Sequence, residues 1–76
     1  MSIFKNKNVL ITGAAGICGQ SAVSRMLSEE ANVRAVVYNR RTIEFEHDNL
    51  EVVKADLSLY DDCVNVIKDI DIVLHF

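Results

Sequence analysis

All three glycines of this 76-residue chain fall in one seven-residue window, Gly13-Ala14-Ala15-Gly16-Ile17-Cys18-Gly19. The window follows an apolar run, Val9-Leu10-Ile11, and opens a segment whose apolar residues recur at helical spacing. A chain that leaves a strand, turns sharply and enters a helix needs glycine for separate reasons. Gly13 supplies backbone angles closed to residues with a Cβ. Gly16 leaves room for a pyrophosphate to approach the backbone, and Gly19 lets the new helix pack closely on the strand. The first helical turn carries unpaired N–H groups and a partial positive charge, both suited to a diphosphate. The N–H groups around Gly16, Ile17 and Cys18 are therefore expected to carry the anion, with Ala15 beside them in the turn. A ligand-free glycine turn is the plain alternative. The strand before, the helix after and a second strand about 20 residues on supply the context that dinucleotide binding requires. A kinase-type P-loop is excluded, because no Gly-Lys-Ser/Thr follows the glycines.

Residues 8–12 are predicted as a buried parallel strand. Ile17, Ala22, Val23, Met26 and Leu27 share one helical face, which predicts a first helix over 17–29 with a break at Asn32. Val33 to Tyr38 reads as the second strand, 39–49 as a polar loop, and Leu50 to Ala55 as the third strand. Ser58 with Asp61 three residues later is a helix-start signal. Tyr60, Cys63, Val64 and Ile67 then follow at i, i+3, i+4 and i+7, predicting the apolar face of a second helix. Asp71 to Phe76 reads as a fourth strand. With right-handed crossovers this is an α/β fold, a parallel sheet of order 3-2-1-4 with flanking helices. Its ligand crevice lies where strand order reverses, between strands 1 and 4. Strand 4 would leave Ile72, Val73, Leu74 and Phe76 as an apolar edge, and such edges invite pairing. The expectation is that residues 1–76 are the N-terminal portion of one longer domain, truncated after strand 4. The alternative is a mini-protein that forms a homodimer through that edge.

Half the residues are hydrophobic and a quarter are charged, a globular balance. The net charge of −3 gives no support to a nucleic-acid or membrane-surface role. Charged and polar residues interrupt the N-terminus, so neither a secretory leader nor a membrane span is expected. Cys18 and Cys63 lie far apart and form no Cys-x-x-Cys pair, which suits a reduced, cytoplasmic setting. His47 and His75 have no metal-ligand spacing, and no metal site is expected. Asp61-Asp62 and Asp69/Asp71 read as helix-start and loop charges.

Thr12 and the Gly-x-x-Gly-x-x-Gly spacing resemble the short-chain dehydrogenase/reductase superfamily. The likeness is to its extended and atypical branches, which include nucleotide-sugar epimerases, dehydratases and NmrA-like reductases. Another branch places its second glycine four residues after the first, where this chain has Ile17. The resemblance continues through Val33-Arg34-Ala35-Val36-Val37, Val52 to Leu57 and Asp71 to Phe76, and so covers nearly the whole chain. It implies a Rossmann-type fold and a nicotinamide dinucleotide cofactor.

Cofactor choice is usually made at the end of strand 2, where a carboxylate binds the ribose 2′-OH and repels a 2′-phosphate. Residues 37–41 are Val37-Tyr38-Asn39-Arg40-Arg41, with no carboxylate. Two guanidinium groups favour NADP, with Arg40 as first phosphate ligand, Arg41 as second and Asn39 adding a hydrogen bond. If the cofactor is NAD instead, both arginines are solvated loop charges near Glu44 and Glu46. Tyr38 either stacks on the adenine or packs on the sheet edge. The resemblance further implies that the Asp56 side chain contacts the adenine amino group, that the Leu57 N–H contacts a ring nitrogen, and that Phe76 lines the cofactor pocket. The plain alternative for Asp56 is a turn residue ending a strand. Cys18 reads as a small packing residue rather than a redox sensor.

The family's catalytic Tyr-x-x-x-Lys is absent: Thr42 follows Tyr38 by four, and Val64 follows Tyr60 by four. No catalytic residue is assigned, and the chain alone is not expected to transfer hydride by that mechanism. Three readings remain: the cofactor-binding N-terminus of a reductase, epimerase or dehydratase; a non-catalytic NmrA-like dinucleotide sensor; or an inactive truncated product.

Overall fold

A computed structural model of the chain describes residues 3–38, 43 and 46–76. The elements are β1 (Asn8–Ile11), α1 (Ile17–Ser28), β2 (Asn32–Val37), β3 (Leu50–Lys54), α2 (Tyr60–Val66) and β4 (Ile72–Leu74). The strands pair in parallel in the predicted order, β3-β2-β1-β4.

Successive residues of a strand face opposite sides of the sheet, so one apolar run serves two cores. Val9, Ile11, Val33, Ala35 and Val37 pack with Val23 and Met26 of α1 on one side, and Ile43 adds to that side. Leu10 and Val36 pack with Val66 of α2 on the other. The two helices thus cover opposite faces, the arrangement that places a switch point between β1 and β4.

The predicted buried stripe of α1 holds for Val23 and Met26, with Ala22 and Leu27 half-buried against the same core. It fails for Ile17, which is 89% exposed because it stands in the first turn, beyond the reach of the sheet. The helix ends at Ser28 with Glu29 as its cap, close to the expected end at 29, and the break comes at Glu30 rather than at Asn32. Glu30 adopts φ 64°, and the Glu30 and Ala31 N–H groups return to the Leu27 and Met26 carbonyls, a left-handed stop that absorbs orphan carbonyls. Asn32 instead opens β2 opposite Asn8.

The second helix differs more from expectation. Its buried residue is Val66, whereas Tyr60 is 81% exposed and Val64 and Ile67 also face solvent. The predicted Ser58–Asp61 start does not form. Leu59 occupies the cap position without a side-chain bond, and the Ser58 N–H and hydroxyl both donate to Asp56 Oδ1. Serine here closes a turn on the preceding aspartate, the local bond that competes with capping. At the other end of α2, Arg34 of β2 donates to the Val66 and Lys68 carbonyls and to Glu51 Oε1. One guanidinium therefore ties β2, β3 and the end of α2 together.

Asp71 is the expected loop charge, just before β4, and it also makes two bonds to Asn8. Its Oδ2 accepts from the Asn8 N–H at 2.9 Å while its own N–H donates to the Asn8 carbonyl at 2.8 Å, fastening the entry of β4 to that of β1. No helix among the described residues is long and apolar enough to cross a membrane.

Candidate functional site

The exits of β1, β2 and β3 converge on a cleft of about 240 Å³. Gly13 to Gly16 form one wall, Val36 to Tyr38 the floor and rim, and Ala55 with Leu57 the far side. A second cleft of about 250 Å³, lined by Asn8, Asn32, Arg34 and Glu51 among others, opens at the opposite ends of the strands. The first lies at the carboxyl ends of a parallel sheet, where open α/β folds bind ligands.

Each glycine has its own reason. Gly13 adopts φ 60°, and a Cβ there would stand 2.7 Å from the Phe76 carbonyl oxygen. Gly19 is pressed on the turn itself rather than on the strand. A Cβ would be driven into the Gly13 carbonyl oxygen and stand 2.7 Å from Ala14 Cα. Gly16 has no such constraint. Its φ of −76° and ψ of 170° suit any residue, and a Cβ would meet only the Gly13 oxygen, at an ordinary 3.5 Å. Among the described residues, neither the backbone angles nor a close neighbour asks for glycine at 16.

Gly16 is also the cap residue of α1, and no side chain caps this helix. The Gly16 N–H is already used, donating to the Gly13 carbonyl. The unpaired donors therefore lie one position beyond those expected from the sequence: the N–H groups of Ile17, Cys18 and Gly19 have no acceptor among the described residues. The first turn holds no acidic residue, so nothing there opposes a diphosphate. The Ala14 N–H donates to the Val36 carbonyl and the Gln20 amide to the Ala15 carbonyl, which fixes the turn against β2 and against its own helix.

Of the residues expected to bind cofactor, Gly13, Ala15, Gly16 and Leu57 line the cleft, and Ile17, Cys18 and Gly19 stand at its helical end. Asp56 adjoins Leu57. Hydrogen bonds from the Ser58 hydroxyl, and then from the Ser58 N–H, hold its carboxyl below the usual carboxylate range. Phe76 lies on the other side of Gly13, its carbonyl against the turn and its residue half-exposed. Asn39, Arg40 and Arg41 lie outside the described residues; Tyr38, which precedes them, stands at the rim and is 58% exposed.

Two features were not singled out from the sequence. Ala55 lines the cleft, with no signal beyond its small size at a strand exit. Thr12, recognised only as the residue leading the glycines, is 5% exposed and is the buried polar side chain of the described core. Its Oγ1 accepts from the Phe76 N–H and lies 2.6 Å from His75 Nδ1, joining the exit of β1 to that of β4. Among the described residues no group of three or more His, Cys, Asp or Glu could hold a metal ion.

Residues 13–76 match the model of a family described as NAD(P)H-binding. The chain is 31% identical to a trifunctional UDP-glucose 4,6-dehydratase/3,5-epimerase/reductase of Arabidopsis thaliana, covering 96% of this chain and 13% of that protein. The structure superposes with a TM-score of 0.85 on the epimerase Mth375 of Methanothermobacter thermautotrophicus, at 30% identity over 96% of this chain and 23% of the other. A short-chain dehydrogenase of Leptospira borgpetersenii with bound NAD+ gives 0.72 at 26% identity, over 84% of this chain and 25% of the other. The chain thus spans a quarter or less of each of these proteins.

Proposed function

Because the chain belongs to the NAD(P)H-binding family, we propose that residues 1–76 are the N-terminal, cofactor-holding portion of one NAD(P)-dependent reductase, epimerase or dehydratase domain, with NADP preferred to NAD. The observation that carries this reading is Gly16: a glycine that neither its backbone angles nor a close neighbour requires, capping a helix whose first N–H groups lack acceptors among the described residues, at the mouth of a cleft. In the proposed complex the diphosphate lies against the Ile17, Cys18 and Gly19 N–H groups, and the adenine lies towards Leu57, Asp56 and Tyr38. The relatives' names, an epimerase and a dehydratase/epimerase/reductase, support the reaction class. The preference for NADP rests on the run Asn39-Arg40-Arg41, which puts two cations and no carboxylate after β2.

Without a Tyr-x-x-x-Lys pair, these residues bind the cofactor and leave the chemistry to other parts of a longer protein. Two free thiols, Cys18 and Cys63, suit a reduced cytoplasmic setting. The test is calorimetric titration of the 76-residue chain with NADPH and NADH. NADPH should bind about tenfold or more tightly, the weight of a charge-assisted phosphate contact, and Arg40→Glu should remove that preference. Equal affinities would sink the NADP assignment, and failure to bind either dinucleotide would sink the site.

A further inference from the structure

The loop that leaves β3 is held by side chains of α2. Asp62 Oδ2 accepts from the Asp56 N–H at 2.8 Å, and the Cys63 thiol donates to the Leu57 carbonyl at 3.1 Å. Within the loop, Asp56 Oδ1 accepts twice from Ser58, and the Asp56 carbonyl accepts from the Leu59 N–H. With these bonds made, the polar groups of this dipeptide left without partners among the described residues are Asp56 Oδ2 and the Leu57 N–H. That is one acceptor and one donor on successive residues, beside Ala55 and Leu57 in the cleft wall. Adenine offers the complement, an amino donor next to a ring-nitrogen acceptor. A 6-oxopurine offers the reverse, an oxo acceptor next to an N–H donor.

We propose that Asp62 and Cys63 are positioning residues that set the base selectivity of the site. They take the Asp56 N–H and the Leu57 carbonyl out of play, so that the base meets a single acceptor–donor pair. The proposal rests on the dinucleotide reading above and adds to it the residues that decide adenine against a 6-oxopurine. Asp62 is suited to the task because α2 is itself fixed, by burial of Val66 and by Arg34 on the Val66 and Lys68 carbonyls. Loss of the Asp62 carboxylate frees a second donor, the Asp56 N–H, which can bond the oxo group of the wrong base. Loss of the thiol releases the Leu57 peptide, which can then turn its carbonyl towards the ligand.

The test compares NADPH and NADH, each against its nicotinamide hypoxanthine counterpart, on the wild-type chain and on Asp62→Ala, Cys63→Ala, Asp62→Asn and Cys63→Ser. Thermal melts run in parallel. The wild type should prefer the adenine form. The preference should fall roughly two- to tenfold in Asp62→Ala, the range for one hydrogen bond, and less in Cys63→Ala, whose thiol is a weak donor. Asn and Ser, which keep an acceptor and a donor respectively, should restore most of it. A merely structural role would weaken both bases alike and leave the ratio unchanged. An unchanged ratio in both alanine variants, with dinucleotide binding intact, overturns the proposal and leaves the dinucleotide reading standing. If Asp62→Ala does not fold, an unchanged ratio in Cys63→Ala alone overturns it. A wild type that binds none of the four ligands removes the dinucleotide reading itself.

Discussion

Gly16 and Gly19 lie three residues apart in one motif, yet alanine at the two positions should have opposite consequences. At Gly19 the new Cβ points into the Gly13 carbonyl oxygen, with Ala14 Cα at 2.7 Å and Gly13 carbonyl carbon at 2.8 Å. These are backbone atoms of a turn already held to β2 through the Ala14 N–H, so the helix must move rather than the neighbour. Overpacking of this kind costs about 1–3 kcal/mol, offset by up to about 1 kcal/mol from alanine's better helix propensity. A net loss of about 1–2 kcal/mol is a large part of the stability of a domain this small, roughly 4–11 kcal/mol. It should lower Tm by about 5–15 °C. At Gly16 the Cβ meets one oxygen at 3.5 Å and the backbone angles suit alanine. Stiffening the unfolded chain contributes about 0.4–1 kcal/mol, which a poorer cap residue offsets by a similar amount. Tm should therefore stay within about 3 °C of wild type, while dinucleotide affinity drops at least about tenfold, because the methyl stands where the diphosphate must approach. Calorimetric melting and titration on the same samples separate the two effects. A Gly16→Ala chain that melts like Gly19→Ala, or that binds NADPH like wild type, would refute the assignment of Gly16 to the ligand.

Two further perturbations test the framework around the site. Asp56 prefers its ionised form in the folded chain, so its contribution to stability is present above its unfolded value and is lost as pH falls through its lower folded value. Ser58→Ala removes the hydroxyl bond, the larger cause, and should move the Asp56 titration up towards 3.8, followed by carboxyl carbon NMR; an unmoved titration would contradict the turn. Arg34→Met should cost about 1–2 kcal/mol in urea unfolding and speed amide exchange in α2, since it strips the bonds to the Val66 and Lys68 carbonyls. Exchange in α2 that stays at the wild-type rate would deny Arg34 its role at that helix end.

The path from strand to turn to helix, the parallel sheet and its order were legible in the sequence. The glycine spacing admits few other backbones, and right-handed crossovers leave little choice of topology. The glycines that line the cleft were legible for the same reason, since local chain geometry sets them, whereas Leu57 was legible only through the family resemblance. The face of α2 was not. Its spacing points to the stripe Tyr60-Cys63-Val64-Ile67, but Val66 also falls in the helix, on another face. The sheet chose the face that carries Val66, because Leu10 and Val36 present an apolar surface to it while Arg34 grips the end of the helix. Nor could spacing tell that Ser58 would bond backwards to Asp56, since one hydroxyl can cap a helix or close a turn with similar energy. What the sequence by itself determined was the backbone's route and the glycine turn that joins β1 to α1, because glycine and alternation act over a few residues. The tertiary structure alone decided which apolar stripe is buried and which polar groups of the Asp56–Leu57 loop stay open. Each of those depends on contacts between segments far apart in sequence.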